Sequence, residues 1–224
     1  MVSPFLFFVD ERLSLAELSA ACLDGLLVPL GEGFIPADAV ETPWMRARSL
    51  LPLLGERWAA VRRTAAWIHG AVDEEPFPHH VQRAGSTRVR ARSDARVVFH
   101  DVRLEPADIR SLAGVHLSSP ERTLADLARS GDEGEVALAR EWARHDPQLG
   151  NAAASWLARH PRFPHARRAA AVLSAATVAA EAARHGGADG EREPEGGGIH
   201  EPTGVGPVRA STGMPAAGAV STAL

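Results

Sequence analysis

The spacing of apolar residues predicts that the chain begins with a short helix and a β-hairpin. Apolar positions recur at helical spacing over residues 14–23, and Ser14 with Glu17 has the S-x-x-E form of a capping box. A glycine-rich turn at residues 31–33 then separates two short apolar segments, a pattern typical of a hairpin. A helix followed by a hairpin forms the back half of a winged helix. A short helix and hairpin that only pack on a larger domain fit the pattern equally well.

The following segment predicts two helices and a small sheet. Thr42 and Pro43 are expected to start the second helix as N-cap and first helical residue, with Trp44 on its apolar face. The third helix is expected over Arg63–Ile68, before Gly70. Segments with partial alternation of apolar and polar residues predict the strands Val81-Gln82, Arg88–Arg92, Val97–Leu104 and Val115–Leu117.

The C-terminal half predicts mainly helices. Ser119 is expected to cap a helix that has Pro120 at its first position. On that helix Arg122 and Asp126 lie four residues apart, where they can form an ion pair of little energetic weight if it is exposed. Alanine-rich helices are then expected over residues 134–144, 151–159 and 165–184. From residue 186 onward the sequence is rich in glycine, proline and small polar residues without periodicity, which predicts a disordered tail.

Composition excludes several classes of protein. The 224 residues contain one cysteine, Cys22, so no intramolecular disulfide can form. All 24 basic residues are arginines, which excludes a phosphate-loop lysine and a Schiff-base lysine. The apolar run near the N-terminus is too short for a signal peptide and no segment is long enough for a membrane helix, so we expect a cytoplasmic protein. Because the net charge is -4, any nucleic-acid-binding surface must be local.

Sequence segments distributed over the first 130 residues resemble a known family. They are LSLAELSAACLDG (13–25), VPLGEGFIP (28–36), ETPWMRA (41–47), RTAAWIHG (63–70) and GVHLSSPERTLADLAR (114–129). Their order is similar to that in the actinobacterial branch of the AbiEi family, the antitoxins of AbiE-type bacterial toxin–antitoxin pairs. The most distinctive element is S-P-x-R-T-x-x-D-L, which begins at Ser119.

The resemblance implies both an architecture and partners. Members of the family combine a winged-helix DNA-binding part with a small α/β domain, repress their own operon and neutralise a nucleotidyltransferase-like toxin without a stable complex. The N-terminal part of this chain is shorter than that pattern. We therefore expect an α/β (α+β) protein with a degenerate winged-helix segment (1–40), an AbiEi-like domain (41–130), a helical extension (131–185) and the tail (186–224).

Clusters of arginine supply the candidate DNA-binding residues. Arginines at alternating positions of one strand project from one face and could follow a phosphate backbone, although a solvated sheet face has the same pattern. A second group near the expected hairpin adds positive charge. The candidates are Arg83, Arg88, Arg90, Arg92 and Arg96 in the first group and Arg46 and Arg48 in the second.

The sequence offers no comparable pattern for catalysis, a metal or a cofactor. His79 and His80 with His69 and His100 form the densest histidine group, but their spacing matches no metal motif. A nucleotidyltransferase toxin would need two carboxylates after its G-S turn, and Arg96 stands where the second is required. We therefore predict a DNA-binding antitoxin that is not an enzyme, with a protein-interaction module without DNA binding as the alternative.

Overall fold

The computed structural model of the chain describes residues 5–85 and 94–186, all of which belong to one structural unit. Three of the predicted DNA-binding residues, Arg88, Arg90 and Arg92, lie outside these ranges together with the strand predicted there. The predicted tail also lies outside them, except for Gly186, which is the last residue of a helix.

The N-terminal helix and hairpin form as predicted. Helix α1 (Leu15–Leu23) begins with the complete capping box of Ser14 and Glu17. Strands β1 (Leu27–Leu30) and β2 (Gly33–Pro36) pair antiparallel around the predicted turn. Leu18 is the buried residue of α1, whereas Leu15 and Leu23 are exposed.

The hairpin packs on the rest of the protein. Leu30 and Ile35 belong to the same hydrophobic core as Leu50 and Trp67, and Phe7 forms an isolated bridge to Phe34 on the outer side of β2. Glu75 accepts a hydrogen bond from the backbone N–H of Gly31 at 2.8 Å. These contacts agree with the simpler of the two interpretations, a helix and hairpin that pack on a larger domain.

The central element is a mixed sheet with the strand order β5-β4-β3-β7-β6. Neighbouring strands are parallel in the pairs β4–β5 and β3–β7 and antiparallel in the pairs β3–β4 and β6–β7. The strands are β3 (Trp58–Ala60), β4 (His79–Arg83), β5 (Val97–Arg103), β6 (Ile109–Leu112) and β7 (Val115–Ser118). The sequence did not predict β3 and β6, because β3 is apolar throughout and β6 has apolar residues only at its two ends, so neither alternates.

Short helices cover the sheet. Helices α2 (Pro43–Ser49), α3 (Leu51–Leu54) and α4 (Arg62–Ile68) follow the hairpin, and Thr42 caps α2 as predicted. Of the residues predicted on one apolar face of this segment, Ala47 and Leu50 are buried, whereas Trp44 is 41% exposed. The prediction was therefore wrong for Trp44, and Met45 is buried in the core that contains Trp67.

A second core joins the last helices to the sheet domain. Helix α5 (Pro120–Ala128) packs against α6 (Glu133–His145), α7 (Pro147–Arg159) and α8 (Ala166–Gly186) through Leu124, Leu127 and a set of alanines. Helix α7 begins four residues earlier than predicted, since Asp146 caps it and Pro147 occupies its first turn. Gly150 of α7 lies close to Ala143 of α6 and Thr177 of α8.

The described residues thus confirm the predicted α+β class, with helices and strands packed around two hydrophobic cores. None of the helices in the described ranges has the length and apolar content needed to cross a membrane.

Candidate functional site

The S-P-x-R-T-x-x-D-L segment forms the junction between the sheet and α5. Ser119 caps the helix, as predicted, by accepting a hydrogen bond from the Arg122 N–H at 3.3 Å, and Pro120 occupies the first turn. The Thr123 hydroxyl lies 2.7 Å from the Ser118 hydroxyl and donates to the Ser119 carbonyl at 2.8 Å. Both Ser118 and Thr123 are fully buried. These residues therefore fix the angle at which the chain leaves β7 and enters the helix.

Arg122 is the centre of a buried charge network. Its Nη1 donates to Asp108 at 2.9 Å and its Nε to Asp126 at 2.8 Å, while only 1% of the residue is exposed. The guanidinium lies over the rings of Trp156 and Phe163, and Trp156 Nε1 donates to Asp108 at 2.9 Å. The predicted Arg122–Asp126 pair forms, but it is buried, so it does not have the small energetic weight of an exposed pair. The network links α5, α7 and the 3-10 turn at Pro106–Asp108.

The predicted DNA-binding residue Arg46 is buried in the fold. Its guanidinium pairs with Glu41, donates to the carbonyls of Trp67 and Val72 at 2.7 and 2.8 Å, and lies over the Trp67 ring. The side chain is thus used to connect α2 with the end of α4. Its donors are directed at the protein, so the placement does not favour a phosphate contact.

The other predicted arginines in the described ranges are not gathered on one surface. Arg48 is half-buried and donates to the Ala113 carbonyl at 3.3 Å. Arg83 is at the end of β4 and pairs with Asp101, whereas Arg96 precedes β5 and pairs with Asp94 and Glu32. Because β4 and β5 are parallel, with His79 opposite Val97, Arg83 and Arg96 lie at opposite ends of the strand pair.

Of the four histidines singled out in the sequence, two contact each other and the other two have separate partners. His80 Nδ1 and His100 Nε2 lie 3.2 Å apart on neighbouring strands, and desolvation together with the second imidazole lowers the pKa of His80 to about 4. Burial also lowers the pKa of His100. His69 instead contacts the Ser118 carbonyl, and His79 pairs with Glu75. Among the residues that the structure describes, no cluster of histidine, cysteine and carboxylate side chains has the geometry of a metal site.

An arginine groove, defined by Arg63, Arg140, Arg144 and Arg168, crosses the helical face of the molecule. Two adjoining depressions of about 460 and 550 Å³ share Arg140 and Arg144 as lining residues. Glu141 is the carboxylate that lines the groove, and it pairs with Arg144 at 2.6 Å. Within the described ranges, no ion pair engages Arg63, Arg140 or Arg168. The floor consists of small apolar side chains of α6 and α8.

The sequence prediction missed this groove. Arg140 and Arg144 are four residues apart, a spacing that places both on one face of a helix and could have identified half of it. Arg63 and Arg168 come from α4 and α8, which approach α6 only in the folded protein, so no sequence spacing connects them.

Comparison with known proteins identifies the central part of the chain. Residues 58–156 match the family model of the AbiEi antitoxin C-terminal domain. The match begins at β3 and ends near the end of α7, whereas the resemblance in the sequence ran from residue 1 to about 130. It contains the S-P-x-R-T-x-x-D-L segment and the Arg122 network up to Trp156. No curated protein matched the chain. Residues 58–156 of the chain are therefore similar to the C-terminal domain of the AbiEi antitoxin family.

Proposed function

We propose that this protein is the antitoxin of an AbiE-type toxin–antitoxin pair and that it binds DNA upstream of its own gene to regulate the operon. The matched domain supports the antitoxin role. The arginine groove is the observation that supports DNA binding. The proposal assigns no catalytic step, metal or cofactor to the chain.

The charge of the groove differs in sign from that of the whole protein. Four arginines and one glutamate line it, while the chain carries a net charge of -4. Unpaired guanidinium groups attract a polyanion at long range, and each phosphate that they neutralise releases condensed counterions from DNA. Arg140 and Arg144 are one turn apart, about 6 Å along the axis of α6, so both can face the same polyanion.

A second, dispersed basic region contains arginines predicted from the sequence, with Arg83 and Arg96 at opposite ends of the β4–β5 pair. Arg96 pairs with Glu32 in the hairpin turn at 2.7 Å, and Arg57 is exposed beside the end of β4. Arg88, Arg90 and Arg92 lie in the sequence between these two points, outside the described residues. Carboxylates already neutralise Arg83 and Arg96, so we rank this region below the groove as the principal phosphate contact.

The antitoxin role is tested by expression with the nucleotidyltransferase-like toxin that the proposal places in the same operon. The proposal expects that the protein restores growth when the two are expressed from separate plasmids. It also expects no co-purification of the two proteins, since the resemblance implies neutralisation without a stable complex. Failure to restore growth would contradict the antitoxin role, even if the protein binds DNA.

Regulation of the operon is tested with a reporter gene placed behind the upstream DNA. The full-length protein should lower reporter expression, whereas a variant with Arg140, Arg144 and Arg168 replaced by glutamine should lower it less. The alternative, a protein-interaction module, draws support from the apolar floor of the groove. Unchanged reporter expression, together with no retention on a DNA column at low salt, would favour that alternative.

A further inference from the structure

A small polar cleft separates the sheet from the end of α5. It has a volume of about 200 Å³, and its polar lining residues are Arg62, Gln82, His100, Asp126, Arg129 and Ser130. All of them lie inside the matched segment 58–156, yet neither the DNA proposal nor the Arg122 network requires an open cleft here. We propose that the cleft binds a nucleobase, presented by a free mononucleotide or by an unpaired nucleotide of a single strand.

The cleft lies where the pairing of β4 with β5 is irregular. Val81 lies opposite Phe99, but Arg83 lies opposite Arg103, so two additional residues of β5 span the gap. His100 and Val102 belong to this irregular stretch and line the cleft. Bulges of this kind are frequent next to functional sites, because they redirect side chains that a regular strand would hold in the sheet.

Gln82 supplies the observation that points to a ligand. Only 3% of the residue is exposed, and its Oε1 has no hydrogen-bond partner among the described residues. Its Nε2 is not fully buried, and within those ranges it donates no hydrogen bond to the protein. A buried amide without partners is costly, so one that lines a cavity is expected to bond to whatever occupies the cavity.

The walls of the cleft are held in place by the protein. Arg62 has a positive φ of 53°, a strained conformation for arginine, and its guanidinium is fixed by Glu135 and by Ser130 at 2.6 Å. Arg129 is fixed by Asp126 at 2.8 Å and lies over the Phe163 ring. Each guanidinium is therefore paired with a carboxylate, which makes the cleft nearly neutral.

These features fit a base better than an isolated anion. A neutral cleft gives little attraction to a phosphate alone, whereas the amide N–H groups of Gln82 can donate to an acceptor on the edge of a base. The planar guanidinium groups of Arg62 and Arg129 offer surfaces on which a base can stack. The volume is small for a whole nucleotide, so the sugar and phosphate would extend toward the exposed Val102.

The test is a titration of the full chain with the 5′-mononucleotides AMP, GMP, CMP and UMP and with the four corresponding tetranucleotides, followed by NMR. We expect at least one base to bind with a dissociation constant below about 1 mM. In Gln82→Met, which keeps the length of the side chain but removes the amide, that affinity should fall at least about tenfold. Gln148→Met removes an exposed glutamine of α7 and should bind as the wild type does.

A second variant tests the cleft without altering the buried residue Gln82. Val102 is 44% exposed, so Val102→Trp should fold normally while its indole fills the cleft, and it should also weaken binding at least about tenfold. Binding of mononucleotides would identify a free nucleotide as the source of the base, and binding of tetranucleotides alone would identify a single strand. The proposal is overturned if no base binds at millimolar concentration, or if Gln82→Met and Val102→Trp both retain the wild-type affinity.

Discussion

Arg122 and Asp126 lie one helical turn apart on α5 and form a buried ion pair with an Nε–Oδ2 distance of 2.8 Å. Asp108 accepts a second bond from the same guanidinium, so one cation serves two carboxylates from different parts of the chain. The aromatic rings of Trp156 and Phe163 cover it. This arrangement gives the arginine and aspartate of the S-P-x-R-T-x-x-D-L segment a structural role, which is to hold α5 against α7.

Removal of Arg122 should therefore destabilise the protein strongly. Arg122→Met leaves the buried Asp108 without a cation and Asp126 with Arg129 as its remaining partner, a change that costs on the order of 3–5 kcal/mol in the free energy of unfolding. Arg144→Met removes an arginine from the exposed pair with Glu141 and should cost less than about 1 kcal/mol. Urea unfolding of the two variants measures the difference. Equal losses would show that the Arg122 network contributes no more than a surface pair.

The two adjacent serines before α5 should both contribute to stability. Ser119→Ala removes the helix cap and should cost about 1 kcal/mol. Ser118→Ala should cost about as much, on the order of 1 kcal/mol, because its buried hydroxyl is bonded to Thr123. Thermal unfolding of both variants checks this, with the exposed Ser111→Ala as control. A negligible loss at Ser118 would mean that the Thr123 hydroxyl is satisfied by the Ser119 carbonyl alone.

Gly150 should not tolerate even a methyl group. Alanine normally stabilises the interior of a helix relative to glycine by about 0.5–1 kcal/mol. A Cβ at Gly150, however, would lie 2.4 Å from Thr177 Cγ2 and 3.1 Å from Ala143 Cβ. We therefore expect Gly150→Ala to lower the melting temperature, and the double variant Gly150→Ala/Thr177→Ser to recover part of the loss. A higher melting temperature in Gly150→Ala would contradict the close packing of α7 against α6 and α8.

Stability should decrease in mild acid because of the His80–His100 pair. Desolvation and the neighbouring imidazole lower the pKa of His80 to about 4 in the folded protein, below its ordinary value of 6.5. His80 thus binds a proton more readily in the unfolded chain than in the folded protein. The stability that comes from neutral His80 is therefore complete above pH 6.5 and is lost as the pH falls toward 4. The free energy of unfolding, measured at several pH values, should depend less on pH in His80→Gln than in the wild type. The exposed His165→Gln is the control, and an equal flattening in that variant would contradict the assignment to His80.

The elements that the sequence predicted correctly are those specified by local interactions. The caps at Ser14, Thr42 and Ser119 and the hairpin turn each depend on residues a few positions apart, and all four form. The burial of Arg46 and Arg122 could not be predicted, because their partners at Trp67 and Asp108 are brought to them by the fold. For the same reason, arginines that are scattered along α4, α6 and α8 form the groove, whereas the clustered Arg83 and Arg96 lie apart.

The measurement that tests DNA binding most directly is the salt dependence of affinity for the labelled upstream DNA. We compare the wild type with three variants, each of which has three arginines replaced by glutamine. The groove variant alters Arg140, Arg144 and Arg168, and the predicted-strand variant alters Arg88, Arg90 and Arg92. The control variant alters the exposed Arg12, Arg162 and Arg184. Log affinity should fall linearly with log salt concentration in the wild type, and the groove variant should flatten that slope by about 0.9 unit for each phosphate that is no longer neutralised. The control should retain the wild-type slope, and the predicted-strand variant shows whether that segment also binds phosphate. Absence of wild-type binding at low salt would contradict DNA binding, and an unchanged slope in the groove variant would contradict the role of the groove.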